Sequence, residues 1–138
     1  MANNDVYILG IYMTKFGKHT DRDVLDLGSE AILMALKDAG VSMKDMGVMA
    51  AGQLMGGLGI AQQLQKQIGQ TGIPAYNVTN ACATGATAMR VAYPSIASGE
   101  VDYGLAVGVE KLAGAGLLAG GSRADSGDTW KPQGRQGA

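Results

Sequence analysis

Hydrophobic and polar positions change period in blocks along the chain, and each block predicts one kind of element. Val6 to Tyr12 (VYILGIY) is an almost unbroken apolar run, which suits a strand covered on both faces and predicts a central strand. From Val24 the period lengthens. Leu27, Ala31 and Ala35 continue one stripe, widened by Ile32, Leu36 and Ala39, which predicts an amphipathic helix. Thr20 and Asp23 have the separation of a capping pair ahead of it, with Asp in place of the usual Glu or Gln, and Gly40 is placed to end it in a left-handed turn. Met46 to Gly52 reads as a second buried strand, followed by the glycine-rich GQLMGGLG. Ile60 to Ile68 carries a narrow stripe of Ile60, Leu64 and Ile68 beside an exposed glutamine face, a second helix ended by Gly72 and Pro74.

Ala75 to Asn80 (AYNVTN) predicts a third strand, and Tyr103 to Leu112 (YGLAVGVEKL) a fourth. Between them, Ala83 to Ser98 has Ala88, Ala92 and Ile96 four apart, with Gly99 as the stop of a third helix. Pro94 conflicts with that helix, because an interior proline removes a backbone hydrogen bond at a cost of about 3 kcal/mol. A kink near Met89 to Tyr93, or an early end, is therefore expected. Strands alternating with helices call for right-handed crossovers, so the fold class is α/β, a mostly parallel sheet flanked by helices. Residues 1–112 form the expected domain, and 113–138, small, polar and turn-rich, the start of a loop region.

In such sheets the functional edge lies at the carboxyl ends of the strands. Cys82, the only cysteine, falls there, after the third strand and at the first turn of the third helix. A helix N-terminus presents unpaired N–H groups and about half a positive charge, which favour an anion and can hold the oxyanion formed when a thiolate attacks a carbonyl. Gly85 and the small residues Ala81, Ala83 and Ala86 let a substrate approach the backbone. Placement alone leaves two readings of Cys82, a nucleophile or a small buried hydrophobe.

Composition narrows the partners. Eleven Lys plus Arg against twelve Asp plus Glu, a net charge of -1, make no basic patch for nucleic acid. One cysteine excludes an internal disulfide, and with the single His19 it supplies too few ligands for structural zinc, so no metal is expected. No stretch reaches the roughly 18 apolar residues of a membrane span, and the expected compartment is the reducing cytoplasm. The 22 glycines, without a collagen-like period, fit strand-to-helix junctions.

The segment NVTNACATGATAMRVAYPSIASGEVDYGLAVGVEKL resembles the nucleophile region of the thiolase superfamily, most closely the sterol-carrier-protein type. There an Asn-x-Cys-x-(Ser/Thr)-Gly turn leads into an alanine-rich helix, and a strand reads close to AVGVEKM. Asn80, Cys82, Thr84 and Gly85 fall on that turn, and Ala106 to Leu112 on that strand except at Leu112. The resemblance, which runs from about Ile8 to Leu112, implies a five-layered duplicated α/β fold of which this is the first half. It implies an acyl-CoA acyltransferase that cleaves a 3-oxoacyl-CoA with CoA, or runs the reverse condensation, through an S-acyl intermediate on Cys82. Asn80, Ala83, Thr84 and Gly85 would form the oxyanion and nucleophile turn. Coenzyme A is then a co-substrate, with no tightly bound cofactor, and the setting is lipid metabolism such as β-oxidation. The resemblance also implies a homodimer or dimer of dimers, and in this branch a possible small zinc-ribbon and OB-fold partner.

The family's histidine and asparagine loops and its second cysteine have no counterpart here, and His19 reads as a solvated loop residue. Two arrangements fit: the N-terminal part of a longer chain, or a subunit whose partner supplies the second half-site. Made alone, such a domain is expected to be sticky and poorly stable. Competing readings are a ketoacyl-synthase-type condensing enzyme, against which NACATG argues, and an assembly subunit without chemistry. Met55 and Met89 are candidates for an acyl pocket, set against a core-filling role. Gly56 to Gln63 (GGLGIAQQ) lacks the ending of a P-loop, Gly114 to Gly120 has the wrong spacing for a dinucleotide loop, and Trp130 and Lys131 read as a loop anchor.

Overall fold

The computed structural model describes residues 5–56 and 58–112. Three helices and three strands occur in the order α1 (Val24–Ala39), β1 (Val48–Gly52), α2 (Ile60–Ile68), β2 (Ala75–Val78), α3 (Thr84–Ala97) and β3 (Gly104–Gly108), with a short 3-10 turn at Met43–Asp45. The sheet is parallel, in the order β2-β1-β3. The path β1-α2-β2 moves outward to one side, and β2-α3-β3 returns past β1 to the other. Right-handed crossovers in opposite directions place α2 and α3 on opposite faces.

The strand side chains follow that division. Met49, Ala51, Leu105 and Val107 pack with Ile32 and Leu36 of α1 and Ile60 and Leu64 of α2. Val48 and Ala50 turn the other way, onto Ala88 and Ala92 of α3. Every residue of β1 is buried, as a central strand covered on both faces requires. Of the predicted helices, α2 has the expected bounds, and Gly40 ends α1 at φ 70° with the Val41 N–H bonded to the Leu36 carbonyl at 3.1 Å.

Four expectations are corrected. Val6–Tyr12 forms no strand: the segment has no ladder partner among the described residues, and Tyr7, Ile8 and Ile11 stand at least 70% exposed. Side-chain ties and close packing hold it to α1 instead. The Ile11 N–H donates to Asp38 Oδ2 (2.9 Å), Thr14 Oγ1 to the Leu27 carbonyl (3.2 Å) and the Tyr12 hydroxyl to Glu30 Oε1 (2.9 Å), while Gly10 lies so close to Ala35 and Ala39 that a Cβ would overlap both. Asp23, not Thr20, caps α1, pairing with Asp26 in a reciprocal capping box. The helix α3 does not end early but runs through Pro94 to Ala97; Pro94 and Arg90 lie on its exposed face, where the carbonyl that proline leaves unpaired can meet water. The glutamine face of α2 is not wholly exposed either, since Gln65 is buried and its Nε2 reaches the Ile73 carbonyl at 3.5 Å.

Gly59, ahead of α2, has no capping side chain. Asn77 on β2 supplies one from a distance: its Oδ1 accepts from the Ala61 N–H at 2.8 Å, and its Nδ2 donates to Gln62 Oε1 at 2.8 Å. Asn77→Ala should destabilise the chain by about 1 kcal/mol, and Gln62→Ala, which removes the outer bond and the long 3.4 Å bond from Gln62 Nε2 to the Ala75 carbonyl but leaves the Asn77 cap on Ala61, by less, as read from urea midpoints.

Glu30, bonded to Tyr12 and to Arg22 (2.5 Å), is held below the ordinary glutamate range by those two partners, the tyrosine contributing most. Its contribution is therefore fully present above the unfolded value of about 4.3 and is lost as pH falls through the lowered native value. Amide exchange across residues 7–13 should be faster in Glu30→Gln than in the native chain at neutral pH, and the difference should close on acidification.

Candidate functional site

The strands β1 and β3 end in glycines that face each other in register, Gly52 opposite Gly108. Both lie on the α3 side of the sheet. A Cβ on Gly52 would stand 2.3 Å from Thr84 Cγ2, and one on Gly108 2.8 Å from the Gly85 Cα. The first turn of α3 therefore rests directly on the carboxyl ends of two strands, a separation only residues without side chains permit.

Cys82 lies two residues before α3, after β2, and is exposed among the described residues, unlike the small buried hydrophobe of the second reading. The turn that carries it is held by Thr84, whose hydroxyl is the hinge of two bonds. It donates to the Ala81 carbonyl (2.7 Å) and accepts from the Asn80 N–H (2.8 Å). Asn80 Nδ2 donates to Thr87 Oγ1 (3.0 Å), and the Ala83 N–H closes onto the Asn80 carbonyl (2.9 Å). Ala81 has φ 47°, the only left-handed non-glycine among the described residues. For an alanine that conformation costs on the order of 1 kcal/mol, offset by the bonds that Thr84 and Asn80 make.

Helix α3 has Ala83 at its N-cap position, with no side-chain cap and no acidic residue in its first turn. Its positive end is thus uncompensated by a carboxylate, and the Gly85 and Ala86 N–H groups have no acceptor among the described residues. Above them opens a cavity of about 380 Å³ lined by Gly52, Gln53 and Leu54 after β1, Ala81, Cys82, Thr84 and Gly85 at the turn, and Gly108, Val109, Glu110 and Leu112 after β3. It occupies the crevice where the strand order reverses, the usual ligand position in open parallel sheets.

Of the residues singled out in the sequence, Ala81, Cys82, Thr84 and Gly85 come together in this lining. Asn80 and Ala83 hold the turn from behind. Met55 and Met89 do not line the cavity; Met89 stands on the exposed face of α3. His19, with Nε2 2.8 Å from the Lys15 carbonyl, is half-buried in its loop and also outside the lining. Gly52, Gln53, Leu54 and Glu110 were not anticipated. Their signal was present in the rule that strand ends face ligands, applied only to the strand that precedes Cys82. Among the described residues no cluster of His, Cys, Asp and Glu could hold a metal, and no helix is long and apolar enough to cross a membrane.

The chain is thus a parallel α/β unit that presents a thiol where a helix starts on glycine strand ends. The family of thiolase N-terminal domains matches residues 6–126, and the chain belongs to the thiolase family. It is 39% identical over 113 residues to the acetyl-CoA acetyltransferase of Methanothermobacter thermautotrophicus, covering 78% of this chain and 30% of that protein. It is 38% identical over 112 residues to human sterol carrier protein 2, covering 78% of this chain and 20% of that one. The chain thus spans less than a third of the length of these relatives. Among solved structures, 3-oxoacyl-[acyl-carrier-protein] synthase III of Aquifex aeolicus superposes with a TM-score of 0.61 at 23% identity, over 69% of this chain and 32% of that one. OleA of Xanthomonas campestris does so at 0.56 and 21%, over 63% and 27%. At such identities the likeness is one of fold.

Thr84 is 7% exposed, and its methyl group packs on Gly52 while its hydroxyl holds the turn. Thr84→Val, which keeps the shape and strands the Asn80 N–H, should cost about 1–3 kcal/mol. Thr84→Ser should cost about 1 kcal/mol; urea unfolding of both variants gives the order.

Proposed function

We propose that this chain carries the nucleophile half-site of a thiolase-type acyl-CoA acyltransferase, with residues 1–112 as its N-terminal α/β domain and 113–138 as the start of a loop region. The observation that carries this reading is the exposed Cys82 at the uncapped start of α3, on a floor of glycines that leaves room for a carbonyl. Acetyl-CoA acetyltransferases among the relatives support the reaction class.

In the thiolytic direction the Cys82 thiolate bonds to the keto carbon of a 3-oxoacyl-CoA. The carbonyl electron pair moves onto oxygen, where the Gly85 N–H group and the α3 dipole stabilise it. As the carbonyl re-forms, the C2–C3 bond breaks and its electron pair remains on C2, which takes up a proton and departs as acetyl-CoA. The thiolate of free CoA then attacks the S-acyl carbonyl, forming the shortened acyl-CoA and returning Cys82 as a thiolate. Condensation runs the same steps backward. The proton for C2 comes from outside the cavity lining described here, because Glu110 is engaged with backbone N–H groups and His19 lies elsewhere. A homo-oligomer working in the cytoplasm on CoA and acyl-CoA, with the second half-site supplied by the rest of a longer chain or by a partner subunit, completes the proposal.

The test is the mass of the protein, as its host makes it, before and after brief exposure to a 3-oxoacyl-CoA, with the modified residue mapped by digestion. An acyl group on Cys82, absent from Cys82→Ala, is the expected result. A protein that remains unmodified with its natural partners present overturns the reading and leaves an assembly role in its place.

A further inference from the structure

Glu110 stands two residues beyond β3, half-buried, at the rim of the cavity that holds Cys82. Its carboxylate does not project freely. Oε2 accepts from the Leu54 N–H at 2.9 Å and the Met55 N–H at 2.8 Å, and Oε1 from the Lys111 N–H at 3.2 Å. Two consecutive backbone N–H groups converging on one charged oxygen form a small anion nest, filled here by a side chain from 56 residues away.

The loop it holds is the wall of the cavity. Residues 53–56 leave β1 at Gly52, with the Gln53 N–H on the Val78 carbonyl (3.3 Å) and the Gly52 carbonyl on the Val109 N–H (2.9 Å). Beyond that point, the Gln53 side chain folds so closely onto Gly56 that a Cβ there would overlap it, and Glu110 supplies the bonds to the segment between. The next residue along β3's extension works in the opposite direction: Lys111 Nζ donates to the Arg22 carbonyl, tying the same strand end to the approach to α1. The two side chains thus fix the strand extension between two loops, and only the Glu110 tie borders Cys82.

We propose that Glu110 is a positioning residue: by holding residues 53–56 it sets the wall against which an acyl-CoA presents its carbonyl to Cys82. This rests on the acyltransferase reading of the site. A carboxylate accepting three N–H bonds acts by reach, through acceptor oxygens at the right distance, so its geometry matters more than its charge. Glutamine keeps the length and one acceptor oxygen while losing the charge. Aspartate keeps the charge while falling one methylene short.

The experiment compares Glu110→Gln and Glu110→Asp with the native protein in three measurements: acyl transfer from a 3-oxoacyl-CoA as a function of its concentration, alkylation of Cys82 by iodoacetamide, and thermal unfolding. Misplacing a wall that orients substrate should raise KM in Glu110→Asp by about tenfold, with the Glu110→Gln value within about threefold of native. Iodoacetamide, too small to need the wall, should alkylate Cys82 at native rates in both. Equal losses in the two variants, the reverse order, no change in KM in either, or a KM effect that merely follows the fall in thermal stability would each overturn the proposal. If the native protein itself is not acylated at Cys82, the acyltransferase reading falls first; native acylation with unchanged Glu110→Asp kinetics removes the positioning role alone.

Discussion

The near-contact of the first α3 turn with the ends of β1 and β3 is the constraint on which the rest of the structure depends. Parallel strands buried on both faces must be covered by helices, and the height at which α3 sits is set by what projects from the sheet beneath it. Gly52 and Gly108 project nothing at the carboxyl end, and Gly104, where a Cβ would meet Ile96 at 2.8 Å, repeats the arrangement at the other end of β3. Small residues on the helix answer them, with Ala88 fully buried and Ala92 nearly so. The helix is consequently seated low along its length, and its N-terminus arrives level with the strand ends.

That seating has an electrostatic outcome. A helix terminus perched on large side chains would leave its N–H groups out in solvent; lowered onto glycine, they border a cavity walled by the loops after β1 and β3. The Cys82 turn is then stabilised by neutral hydrogen bonds through Thr84 and Asn80, with no carboxylate spent on capping α3. Capping and function compete for the same donors, and here the local turn hydroxyl bonds backward to Ala81 and Asn80, leaving the next N–H groups open. At α1, where the Asp23–Asp26 box satisfies the terminus, no such opening exists.

Much of this was legible in the chain. The α2 period and its glycine boundaries gave its limits, Gly40 its role, and the alternation of elements the parallel sheet with Cys82 at its carboxyl edge. What failed did so for identifiable reasons. An apolar run such as Val6–Tyr12 shows that a segment is compatible with a buried strand, yet a strand exists only if a neighbour offers a ladder, and periodicity carries no information about neighbours. Asp23 has an Asp three residues on and a Thr three residues back, so spacing alone allowed two capping frames, of which the reciprocal Asp pair prevailed. Pro94 is tolerated because it lies on the exposed side of α3, a position that could not be weighed before the helix face was known. The Glu110 tie to Leu54 and Met55 spans most of the sheet's sequence length, a distance at which no local rule operates.

The paired glycines also divide the cavity into a part that can vary and a part that cannot. Its floor admits no added carbon: any side chain at 52 or 108 displaces α3 and with it the turn that bears Cys82. Its walls are short loops in which Leu54 and Leu112 stand partly exposed, free to change size without touching the sheet. Changes in the shape of what this cavity accommodates are therefore open to the walls and closed to the floor.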